Sequence, residues 1–299
     1  VIPETTNQDG AKGSIAAALY HEFGHALGLP DVYDATTGLT SCGVWDLMDS
    51  GTNLAATLGY TDPESGELVG EPVTGILPPS LSAWCKWFLG WVETDHVRGG
   101  DGQEVKLPAV GIPRDRYSIH NQVPGNALDA SQPQVLLGGM SSREFFLLEN
   151  RWVPETVADT PYDPYDPETN YGGLYFKTDP ATGVVLYLAG DRRGTEGINT
   201  GYYDYFLPQG GLLAWHADMD RIEGGLARNT INEYGDGLKL LEADGIQDIG
   251  VLDAYVLGWY GSDRDPFAPW NDAGYLEILP EGAGRPTSRG FDRSYSGLR

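Results

Sequence analysis

The sequence predicts an α+β fold: a helical first segment, residues 1–98, runs continuously into a mainly antiparallel β region, residues 99–299. Three observations predict it. Apolar residues recur at helical spacing in AKGSIAAALYHEFGHALG (11–28) and again in SLSAWCKWFLGWV (80–92). Past about residue 98 the texture changes to short β-prone runs separated by Gly, Pro, Asp and Asn. No fixed-period repeat and no Ser/Gly linker interrupts the 299 residues, so the boundary is a shift in composition and not a visible hinge.

The first helix is predicted over Ser14–Leu27, where Ile15, Ala18, Leu19, Phe23, Ala26 and Leu27 share one broad apolar face. Gly28 is suited to a left-handed cap, and Pro30 forbids continuation, so the chain turns sharply just where Asp31 stands. The second helix starts at Pro79 and Ser80 and ends at Gly90. Its Trp84, Trp87 and Trp91 recur at spacings of three and four, a stripe that predicts packed core and not a binding platform. Strands are predicted at 104–110, 143–151, 172–177, 184–190, 211–218 and 274–280, a pattern suited to a sandwich or an irregular antiparallel assembly. The segment 154–173 is too rich in Pro and Asp to be regular structure.

Composition narrows the functional classes. Against 19 basic residues stand 43 acidic ones, and the formal charge of −24 repels phosphate backbones and anionic headgroups. Nucleic acid and membrane surfaces are therefore poor partners. No apolar run approaches the roughly 18 residues that cross a bilayer. Val1 in place of a methionine, with the motif below beginning at residue 21, suggests a processed or truncated product. Cys42 and Cys85 are the two cysteines; they are either bonded, which implies an oxidising compartment, or buried thiols.

HEFGHALGLPD (21–31) carries the chemistry. His21 and His25, four residues apart on a helix, stack their imidazoles on one face and satisfy two positions of a tetrahedral zinc. Glu22 is rotated by about 100° from His21 and reaches towards a zinc-bound water, the place of a general base. Zinc lowers the pKa of its water to about 7, and the combination predicts peptide hydrolysis. A catalytic site needs a third protein ligand, and Asp31 is the first choice, with a distant glutamate or His216 as replacements. His96 and His120 read as surface residues, and His216 otherwise as a hydrogen-bonded core histidine. Further on, CGVWDLMDSG (42–51) places Met48 after a glycine-containing loop, and it resembles the metzincin Met-turn, whose methionine floors the metal.

HEFGHALGLPDVYD (21–34), SCGVWDLMDSG (41–51) and LSAWCKWFLGWV (81–92) together resemble the immune inhibitor A family of secreted bacterial metalloproteases. FFLLENRW (145–152) and GLLAWHADMD (211–220) resemble later segments of that family. The resemblance implies an exported zinc endopeptidase, made with a signal peptide and pro-segment and often calcium-stabilised, that degrades proteins. It assigns His21, His25 and Asp31 to zinc, Glu22 to catalysis and Met48 to the turn; Asp34 is a candidate for a supporting or calcium-binding role. Asp159, Asp163 and Asp166, and Asp263, Asp265 and Asp272, are further candidate calcium ligands, although solvated acidic loops fit them better.

One departure concerns the N-terminal side. Metzincin-like enzymes hold substrate on a sheet that precedes the zinc helix. Few residues precede it here, so the expectation is a partial catalytic domain with that sheet missing, an under-covered helix face and an isolated fragment of doubtful activity. Two competing readings are a non-catalytic β-rich binding or adhesion module braced by structural zinc, and a zinc hydrolase of a non-protein amide. Glu22 speaks against the first, because a structural site has no use for it. No tyrosine stands two residues after Met48, where Ser50 is found, so a helper tyrosine has to come from elsewhere.

Overall fold

The computed structural model describes residues 5–8, 11–61, 65–66, 68–75, 78–97, 105, 107, 110, 133–151, 175–178, 185–189, 204, 207–208, 210–233, 237–252 and 260–267. Strands β1 (Thr5–Gln8) and β2 (Ala11–Ser14) form an antiparallel hairpin that leads into helix α1 (Ala16–Ala26). β3 (Ala55–Thr61) and β4 (Leu68–Thr74) pair antiparallel. Because β2 runs parallel to β4, these four make one sheet in the order β1-β2-β4-β3.

Helix α2 (Ala83–Phe88) then precedes β5 (Thr94–Val97), β6 (Val135–Gly139) and β7 (Glu144–Arg151). β8 (Tyr175–Thr178) and β9 (Val185–Ala189) form a two-stranded hairpin. β10 (Gly211–Asp218) passes directly into α3 (Met219–Leu226), and β11 (Leu238–Leu241) returns beside β10. The five-stranded sheet runs β11-β10-β7-β6-β5, antiparallel except for the parallel β5–β6 pair at its edge. Mixed sheets with few helices make the architecture α+β.

β7 and β10 lie at the centre of that sheet and are covered on both faces, which is why EFFLLENR and GLLAWHAD read as nearly continuous apolar runs. Phe145, Leu147, Leu213 and Trp215 join a core that also takes in Leu29, Val32, Trp45 and Met48 from the first segment. Phe146, Ala214 and Leu241 pack together in a second cluster. α2 docks on the sheet through Trp87, whose ring lies 5.3 Å from that of Phe145.

Beneath α2 lies a buried set of four charges. Arg151 donates to Glu149 and, at 2.7 Å, to Asp204, while Lys86 of α2 donates to the other Glu149 oxygen at 2.6 Å. Trp215 Nε1 and the Leu81 carbonyl complete the pairing. Two cations against two carboxylates leave the group neutral, the condition under which buried charge is tolerated.

Several sequence expectations are corrected. α1 buries Ala17, His21 and Gly24, while Leu19, Phe23 and Leu27 of the predicted apolar face are exposed, Phe23 by 62%. The helix turns its smallest and most polar side inward because Met48 presses against Gly24 there. α2 is shorter than predicted and is capped by Ser82, which accepts from Cys85 N–H, and not by Ser80. Trp84 is fully buried, but Trp91 is 59% exposed, because Gly90 (φ 68°) has already ended the helical repeat. Of the two states open to Cys42 and Cys85, the structure has buried thiols with no disulfide. β3, β4, β5, β6 and β11 and the hairpin before α1 went unpredicted. Most of 104–110 and all of 154–173 and 274–280 lie outside the described residues.

Candidate metal centre

The centre is built by the end of α1 and the two loops that follow. Gly28, at φ 99°, closes the helix with Gly28 N–H on the His25 carbonyl and Leu29 N–H on the Gly24 carbonyl. The reversal at Pro30 brings Asp31 back beneath the helix. Asp31 Oδ1 lies 2.9 Å from His21 Nε2 and 3.2 Å from His25 Nε2. The two imidazoles are perpendicular, with ring centroids 4.7 Å apart. One ligand atom from each of the three residues lies within 4.8 Å of the others, the one such trio of His, Cys, Asp or Glu among the described residues.

Backbone carbonyls fix which nitrogens face one another. His21 Nδ1 donates to the Leu47 carbonyl and His25 Nδ1 to the Leu29 carbonyl, each at 2.9 Å. With Nδ1 carrying the proton, Nε2 of each ring presents its lone pair to a cation. Two imidazoles and one carboxylate are a donor set suited to zinc, and three protein ligands leave a fourth tetrahedral position open. The residues present therefore fit a catalytic metal.

The contacts within the trio shift the titration of its members in opposite directions. Burial pushes the His21 imidazolium down, but hydrogen bonds to Asp31 and Leu47 and the charges of Asp31 and Glu22 outweigh it, so its pKa is raised. Burial pushes Asp31 up, and hydrogen bonds from His21 and Asn229 with the charge of His25 more than reverse this, so its pKa is lowered.

Met48 packs against Gly24 of α1. It is fully buried against α1, its carbonyl accepts from Val32 N–H at 2.8 Å, and a β-carbon on Gly24 would overlap its sulfur. Asp46 shapes the turn by accepting from Met48 N–H and Ser82 N–H, and its carbonyl accepts from Gly51 N–H. Asp49 accepts from Thr40, Ser41, Cys42 and Ser50; burial nonetheless pushes its carboxyl up to about 6.

Glu22 is exposed, adjacent to His21, and its charge is felt at both His21 and Tyr33. His216 is not in the trio: buried in β10, its Nε2 pairs with Glu144 at 2.9 Å. His96 is exposed on β5, and His120 lies outside the described residues. Asp34 builds a turn, accepting from Thr36 and Thr37 N–H. Asp265 accepts from Trp45 Nε1 and from Ser262, and belongs to no trio; Asp159, Asp163, Asp166 and Asp272 lie outside the described residues.

Two neighbours escaped the sequence reading. Tyr33 stacks on His21 with centroids 6.4 Å apart, and burial, then the Asp31 charge and hydrogen bond, push its phenol up to about 12. Its place in VYD, two residues past Asp31, was the available signal. Asn229, at 198 positions from Asp31, bonds both the backbone and the carboxylate of that residue and gave no signal beyond its own tolerance of left-handed backbone.

Comparison with curated proteins and with solved structures returns no match. Comparison with protein families does, and the match supports a metallopeptidase. Residues 4–67, which hold α1, the trio and the Met48 turn, match the immune inhibitor A peptidase M6 catalytic domain, the family that the motif residues resemble.

Proposed function

We propose that this chain is a zinc-dependent endopeptidase acting on proteins, with His21, His25 and Asp31 as the metal ligands and Glu22 as the general base. The observation that carries the reading is the convergence of two Nε2 atoms and one carboxylate oxygen, with both Nδ1 atoms already committed to backbone carbonyls. Bound there, zinc would polarise a peptide carbonyl and acidify a water molecule.

The remaining work falls to side chains of this chain. Glu22, exposed beside His21, takes a proton from the attacking water and returns it to the amine as the C–N bond breaks. Tyr33, whose phenol stays protonated well beyond neutral pH, donates a hydrogen bond to the carbonyl oxygen as that oxygen gains negative charge. Met48 and Gly24 hold the helix and the loop at fixed separation.

Export fits the family resemblance and the acidic composition. No helix among the described residues is long and apolar enough to cross a membrane. A structural calcium ion is part of the proposal only through the family resemblance, because among the described residues the acidic side chains form no second trio.

Casein hydrolysis by the chain, run beside Glu22→Ala and after treatment with a zinc chelator, tests the reading. Cleavage lost with chelation, restored by zinc and absent in Glu22→Ala is the expected result. Cleavage that persists in Glu22→Ala would remove the glutamate from its role, and a chain that binds no zinc would remove the reading altogether.

A further inference from the structure

Building on the zinc reading, we infer that Asn229 is the positioning residue that makes Asp31 a one-oxygen metal ligand. The Asn229 carboxamide meets Asp31 at two points: its Oδ1 accepts from Asp31 N–H at 2.6 Å, and its Nδ2 donates to Asp31 Oδ2 at 2.5 Å. The second bond occupies one carboxylate oxygen and leaves Oδ1 facing both imidazoles. A carboxylate held this way gives a cation one oxygen, which suits a four-coordinate site with one position open.

The clamp is built where α3 ends. Asn229 has φ 58°, the one non-glycine residue with positive φ among the described residues. Asparagine is among the few side chains that tolerate this region. Asn229 N–H bonds the Leu226 carbonyl, and Thr230 N–H bonds the Gly225 carbonyl at 3.1 Å. Thr230 packs so closely on the helix end that a β-carbon on Gly225 would lie 2.6 Å from the Thr230 carbonyl oxygen. Asn232 extends the grip, donating to the Val32 carbonyl and accepting from Gly237 N–H and Leu238 N–H. Thr36 adds a hydrogen bond to Glu233. The turn 229–233 thus holds the loop that carries Asp31, and it places a residue of the β-rich segment in the metal's outer shell.

The test uses the full chain loaded with cobalt(II) in place of zinc, with zinc affinity measured separately by chelator competition at neutral pH. Asn229→Gly keeps the left-handed backbone and removes the carboxamide. Asn229→Asp keeps the backbone and the acceptor for Asp31 N–H but replaces the amide donor with a like charge, and it carries the same expectation if the glycine variant does not fold. His25→Ala reports on the zinc reading itself.

The expected result is weaker and shifted d–d absorption in both Asn229 variants at saturating cobalt, as the freed carboxylate changes coordination. Zinc affinity falls by about 10–100-fold in Asn229→Gly, while its far-ultraviolet circular dichroism is unchanged. Wild-type spectra and affinities in both variants, beside lost binding in His25→Ala, would overturn the inference and leave the zinc reading standing. Cobalt binding unaffected by His25→Ala would overturn the zinc reading and this inference with it.

Discussion

Gly24 and Met48 touch where α1 meets the loop that follows it: a β-carbon built on Gly24 overlaps the Met48 sulfur. Helix α1 is therefore held close to the turn that carries Met48, and His21 and His25 lie three residues before and one residue after that contact. Gly24→Ala is expected to destabilise the chain by about 1–3 kcal/mol through overpacking. Thermal melting checks this, and the cost of Gly24→Ala should shrink when it is introduced into a Met48→Ala background. An equal cost of Gly24→Ala in the wild-type and Met48→Ala backgrounds would show that the contact is not the source of the strain.

Tyr33→Phe is expected to lower kcat at saturating zinc by about 100-fold with little change in KM, the pattern for a donor used only as charge develops, and, by removing the hydrogen bond to Asp31, to weaken zinc binding as well. Steady-state cleavage of a short fluorogenic peptide, beside chelator competition for zinc, separates the two effects. A rise in KM alone would make Tyr33 a binding residue.

Arg151 closes the buried charge network, being 1% exposed, with Glu149 and Asp204 depending on it. Arg151→Met takes the cation from Asp204 and leaves Glu149 to Lys86 and Trp215, and is expected to destabilise the fold by about 3–5 kcal/mol. Urea unfolding measures it; a change below 1 kcal/mol would mean that water reaches the network.

Zinc should raise the melting temperature by mass action, and less so in acid. The sign follows from His21: its raised pKa means that, as pH falls, it takes up a proton that competes with the metal before an ordinary histidine would. Melting at fixed zinc and falling pH checks this. A zinc-induced shift that grows towards pH 5 would contradict the assignment of His21 as a ligand.

The metal-free chain should behave differently. Burial pushes Glu242 up to about 9 and Asp265 up to about 6, each raised further by the charge of a neighbouring carboxylate. A carboxyl with a raised folded pKa contributes stability that is complete below its unfolded value and is lost as pH rises through the folded value. Melting temperatures with chelator present are expected to fall continuously from the unfolded carboxyl range near pH ~4 up to about 9, more steeply below about 6, where both carboxyls contribute, than above it, where Glu242 alone does, and to level off beyond about 9. A melting temperature that climbs across this interval would show both carboxyls to be stabilised in their ionised forms.

How much was legible in the sequence differs from element to element. His21, His25 and Asp31 were readable because their contact is local: helical spacing aligns the two histidines, and Gly28 and Pro30 force the turn that returns Asp31. β7 and β10 were readable because a strand covered on both faces must be apolar along its length. The buried side of α1 was not, since a glycine and a histidine face inward against a methionine that follows in another loop, while the apolar stripe looks outward. Asn229 and the Arg151 network were equally hidden, because hydrogen bonds between side chains distant in sequence leave no periodicity to read. The sequence by itself determined the His21, His25 and Asp31 trio and its local turn; the tertiary structure alone decided that Asn229 grips Asp31, because that depends on where the end of α3 meets the loop after α1.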